Sequence, residues 1–63
     1  MNRKVKALLI ERGIKQKEIA EELGVKRATV SGVINGFHSS ERIKRHIAMR
    51  LNKPYERLWG KAA

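Results

Sequence analysis

The sequence predicts an all-α fold of four helices plus a short fifth. Three observations carry that expectation: apolar residues recur at spacings of three, four and seven, no segment alternates apolar and polar residues as a half-buried strand does, and Gly13, Gly24, Asn35-Gly36 and Lys53-Pro54 punctuate the chain between the periodic stretches. With 63 residues, a single domain over 1–63 is expected. Such a chain buries only about 60% of its unfolded surface, so its helices must pack closely.

Asn2 is placed to cap a first helix whose inward positions are Val5, Leu8, Leu9 and the stem of Arg12. Gly13 ends that helix and Ile14 re-enters the core. A second helix over 16–23 turns Ile19, Ala20 and Leu23 inward and Lys17, Glu18, Glu21 and Glu22 outward. Ala20 is small enough to let another helix cross closely, Gly24 supplies the turn, and Val25 plugs the corner. The third helix, over 27–35, buries Val30, Val33 and Ile34 and shows Arg27, Ala28, Ser31 and Gly32 on its other face. After the loop Phe37-His38-Ser39-Ser40, in which Phe37 covers the core or meets a partner, Ser39 or Ser40 caps a fourth helix with Ile43, Ile47, Ala48 and Leu51 inward. Its outer face carries Arg42, Lys44, Arg45 and Arg50. Pro54 favours a new start, and residues 55–59 form the fifth helix before Gly60.

Fifteen Lys and Arg against six Glu give a net charge of +9 and a pI near 10.7, which points to a polyanion, nucleic acid first and an anionic membrane surface second. The excess is uneven. Residues 1–24 carry six cations and four glutamates, and residues 25–63 carry nine cations and two glutamates, so the basic bias begins with the third helix. There is no cysteine for a disulfide or thiolate site, and His38 and His46 are read as surface histidines rather than metal ligands. No apolar run reaches the roughly 20 residues of a membrane span and no signal peptide is visible, so a cytoplasmic protein without membrane contact is expected. The chain lacks aspartate, a catalytic triad pattern and a Gly-rich phosphate loop, which argues against an enzyme and implies no cofactor, metal or small-molecule ligand.

Within this pattern, Gln16-Lys17-Glu18-Ile19-Ala20, Leu23-Gly24-Val25, Thr29-Val30-Ser31 and Val33-Ile34-Asn35-Gly36 resemble the Cro/C1-type, or XRE, regulators over about residues 5–59. The tail from Leu51 to Trp59 is also similar to that of small phage Ner-like regulators. The resemblance implies a lambda-repressor-like domain with a helix-turn-helix at about 16–35, whose third helix enters the DNA major groove. Its expected role is sequence-specific regulation, as a repressor on an operator in double-stranded DNA.

A helix enters the groove only if its exposed face is slim, and Ala28, Ser31 and Gly32 meet that need. Arg27 is the first candidate base reader, because a guanidinium bonds both acceptors of guanine; Ala28 suits a thymine methyl and Ser31 several bases. The resemblance assigns phosphate contacts to Gln16, Asn35 and the backbone at Gly36, with Lys15, Lys17, Lys26, Arg42 and Lys44 beside them. Lys15 and Lys26 stand where relatives place a Ser or Thr cap, a local cost that phosphate would offset. The scattered cations Arg3, Lys4, Lys6 and Lys61 are read as solvated.

Tyr55, Leu58 and Trp59 have two readings, closure of the core against the first helix or a homodimer interface of the kind many relatives use. Two further readings of function stay open at this stage. One is a protein-interaction module such as an antitoxin-like subunit, and the other is a charge-driven, non-specific nucleic-acid binder.

Overall fold

The computed structural model describes residues 2–60 and contains α1 (Arg3–Glu11), α2 (Gln16–Leu23), α3 (Arg27–Asn35), α4 (Glu41–Leu51) and α5 (Tyr55–Trp59). No strand occurs among the described residues; Lys61 lies outside them. No helix is long and apolar enough to cross a membrane.

One core draws on every helix. Val5 and Leu9 come from α1, Ile19, Ala20 and Leu23 from α2, and Val30, Val33 and Ile34 from α3. Ile43, Ile47, Ala48 and Leu51 from α4 and Leu58 from α5 complete it. Leu8, Ile14, Val25, Tyr55 and Trp59 pack around its edge. The periodicity therefore identified most of the buried set, with departures at Leu8, which is only partly buried, at Gly32 in α3, which is buried, and at the end of α1. Arg12 is the residue after the helix and is exposed, and Ile14, whose N–H donates to Leu9 O at 2.8 Å, returns to the core instead.

The corner between α2 and α3 follows from three neighbouring residues. Ala20 is only 3% exposed and has no bulk to hold α3 away, Gly24 takes a left-handed φ of 69°, and the Val25 N–H donates to Ala20 O at 3.0 Å. This closes α2 and aims α3 in a single turn.

Helix α4 is then tied across α2. Ser40 caps it by accepting from the Ile43 N–H at 3.4 Å, and the Arg42 guanidinium donates to Leu23 O, the last carbonyl of α2, at 3.0 Å. Further along, His46 Nε2 lies 2.6 Å from Glu22, and Arg50 reaches Glu22 at 3.0 Å and Glu18 at 3.5 Å.

Asn2 does more than cap α1. Its side-chain oxygen accepts from the Val5 N–H at 3.1 Å, its amide donates to Leu58 O at 2.6 Å, and its backbone N–H donates to Ile34 O at 2.9 Å. One residue thus joins the start of α1 to the ends of α3 and α5.

Helix α5 is held mainly by α4 rather than by α1. Leu58 is buried, the Trp59 indole N–H donates to Lys44 O at 3.1 Å, and the Tyr55 hydroxyl donates to the Glu41 carboxylate at 2.8 Å. Leu58 is accordingly a core residue, and the polar ends of Tyr55 and Trp59 are engaged within the chain. Phe37 does not cover the core: it is 80% exposed.

Candidate nucleic-acid interface

Residues from the start of α2 and from the start of α3 border one depression. Lys15 and Lys26 are the residues that open these helices, both in extended backbone and neither providing a side-chain cap, because an ammonium has no lone pair to offer the free N–H groups. At α2 the loss is partly met by Glu18, whose carboxylate accepts from the Lys15 N–H at 3.4 Å. At α3 there is no carboxylate in the first turn, so its free N–H groups and positive dipole end remain available to an anion.

Lys15, Gln16, Lys17 and Arg27 line a single depression of about 520 Å³, floored by Leu9, Ile10 and Ile14. Sequence separates Arg27 from Gln16 by eleven positions, and the corner at Gly24 brings them to one rim. Among the described residues, none of Lys15, Lys17, Lys26 and Arg27 forms an ion pair, and Lys15, Lys17, Lys26 and Arg27 are all exposed.

Helix α3 carries Arg27 and Ala28 exposed on its first turn and Ser31 half-buried on the next. Asn35 folds back along the helix, its amide donating to Ser31 Oγ at 3.2 Å, so these two side chains form one polar pair rather than two independent contacts. The Asn35 Oδ1 atom is buried without a partner. Gly36 ends α3 at a φ of 85°, beyond the reach of most side-chain-bearing residues.

Gly32 differs from the expectation. It is buried, not open on the face, because the His38 ring from the following loop lies against it. The pattern of α3 alone contains no sign of this, since the covering group comes from outside the helix.

Two of the proposed backbone-contacting cations are engaged elsewhere. Arg42 is drawn to Leu23 O, and the Lys44 ammonium lies over the Trp59 ring, 5.6 Å from its centroid. Lys44 still borders a second depression of about 570 Å³ at the far end of α3, together with Arg3, Gly36 and His38. Cationic residues therefore flank both ends of α3. On the α4 side of α2, the His46 hydrogen bond, followed by the Arg50 charge, holds the Glu22 carboxyl below its ordinary value against the opposing effect of desolvation. Burial first, and the Glu41 carboxylate second, push the Tyr55 phenol above its usual value.

Two short helices joined at a glycine corner, the second with an exposed basic start and a slim outer face, define a DNA-binding helix-turn-helix protein. A helix-turn-helix family model matches residues 5–45, most of the chain. The chain belongs to that family, in its Cro/C1-type (XRE) form. Neither the curated proteins nor the solved structures give a match.

Proposed function

We propose that this DNA-binding regulator is a sequence-specific repressor that acts by occupying an operator. In this reading α3 lies in the major groove with Arg27 on a guanine and Ala28 and Ser31 on neighbouring bases, while Gln16, Lys15, Lys17 and Lys26 hold phosphates. The observation that carries it is that Lys15 and Lys17 at the start of α2 border one depression with Arg27 at the start of α3, their side chains without an ion pair among the described residues. A charge-only binder needs no such arrangement beside a slim helix face.

The engagement of Leu58, Tyr55 and Trp59 within the fold favours this reading over an interaction module built on α5. Selection from random duplexes at about 150 mM salt, where charge-only binding is weakened, tests the reading. An enriched motif supports it, and mirrored halves about one helical turn apart indicate a dimer on DNA. Equal retention of all duplexes contradicts it. Repression follows if the protein, bound to its selected site over a promoter, lowers transcription in a purified system; an increase makes it an activator.

A further inference from the structure

Gly32 is buried in an unexpected place. At about 3.6 residues per turn, Val30, Val33 and Ile34 take the core side of α3, which puts Ala28 and Gly32 on the opposite side. Ala28 is exposed there, as the geometry requires, yet Gly32 is not. What covers it is His38: a Cβ at position 32 would run into the ring at Cδ2 and stand 2.9 Å from Nε2.

The ring's position is set by the backbone as well. Both the Phe37 N–H, at 2.8 Å, and the His38 N–H, at 3.2 Å, donate to Gly32 O, so the chain folds back over the last turn of α3. His38 itself remains exposed. The glycine removes a side chain from the outer face of the helix, and the loop lays an imidazole in its place.

We propose that His38 is a base-reading residue, its imidazole N–H donating to a guanine edge in the major groove. The inference rests on the reading of α3 as the groove-inserted helix and adds a reader that lies outside that helix. A neutral imidazole offers one N–H donor, and guanine is the base whose major-groove edge presents two acceptors, N7 and O6, side by side. Gly32 is five residues beyond Arg27, about 7.5 Å along the axis, or roughly two base-pair steps of 3.4 Å. The guanine read by His38 therefore lies about two pairs from the one read by Arg27. The charged groups bordering the same depression, Arg3 and Lys44, are both cations, and neither competes for the ring's donor.

The test is a selection from random duplexes with the wild type and the His38→Ala, Gly32→Ala and doubly substituted chains, with Tm measured for each. Arg27→Ala in parallel locates the Arg27 position in the motif. Expected for His38→Ala are an unchanged fold, loss of guanine preference at a single position about two pairs from that of Arg27, and about 10- to 100-fold weaker binding to the wild-type site. Gly32→Ala, which displaces the ring, loses the same preference, and the double substitution is no worse than His38→Ala alone. A wild type that selects a motif which His38→Ala selects equally well, with equal affinity, overturns the proposal and leaves the functional reading standing. Uniform weakening on all sequences also overturns it, because that is the signature of a phosphate contact. If the wild type selects no motif, both fall together.

Discussion

The two sides of α2 use charge in opposite ways. Toward α4, Glu18 and Glu22 meet Arg50 and His46 at 2.6 to 3.5 Å. At its start, Lys15 and Lys17 border one depression with Arg27, and the side chains of these three and of Lys26 form no ion pair among the described residues. A chain with 15 cations and only six glutamates cannot pair them all, and where the glutamates are placed decides which face stays positive. Pairing on the α4 side helps fix α2 against α4 and offsets the charge of Glu18 and Glu22 there. The lesson is that the paired side serves the fold and the bare side serves binding, so substitutions on the two should separate.

The largest expected effect is on the bare side. Arg27→Ala should weaken binding to the selected site by about 1–3 kcal/mol and relax the preference at one base pair, with Tm unchanged because the side chain is exposed and forms no ion pair. Parallel titrations on the selected and a scrambled duplex check it. A matching drop in Tm would place Arg27 in the fold and break the comparison.

Lys26→Ser comes next and should move stability and binding in opposite directions. A serine accepts from the free N–H groups at the start of α3 and removes a cation from the positive dipole end, raising stability by about 0.5–2 kcal/mol. The lost phosphate contact should lower affinity for selected and scrambled duplexes alike. Thermal melts and binding on the same preparation read both, and unchanged affinity would show that the lysine has no phosphate partner.

On the paired side, Arg50→Ala should lower Tm by a few degrees at most, since half-exposed ion pairs contribute little, while leaving the selected motif as it was. The smallest effect is a pH dependence. The carboxyl of Glu22 is held below its ordinary value in the folded chain, so its contribution to stability is present above about pH 4.5 and is lost as pH falls through the depressed folded value. Glu22→Gln should lower the neutral plateau of a Tm-against-pH curve slightly and leave its acid end, below the depressed folded value, almost unchanged, so that the acid limb flattens.

Much of this arrangement is legible in the sequence. The bounds of α2 and α3 follow from glycines at 24 and 36 standing at the ends of clear helical periods, and the missing caps at Lys15 and Lys26 are visible from residue type alone. What escaped depends on contacts between segments far apart or on groups outside a helix. Asn2 reads as a cap, but its bond to Leu58 O spans nearly the whole chain. Arg42 reads as a phosphate contact until α4 is seen to place it beside the end of α2, where its guanidinium donates to Leu23 O. Gly32 reads as part of an open face, and only the fold-back of the next loop shows that a histidine covers it.

The most direct test of the comparison is the salt dependence of binding to the selected duplex. Each phosphate contact adds about 0.9 to the magnitude of the slope of log affinity against log salt, so replacing Lys15, Lys17 and Lys26 by Gln should make the slope shallower by up to about 2.7. The same charge change made at Arg50 in α4, Lys53 in the link that follows and Arg57 in α5 should leave it nearly unaltered. Equal slopes for the two triple variants would show that only total charge matters and would contradict the division of α2 into a side for the fold and a side for DNA.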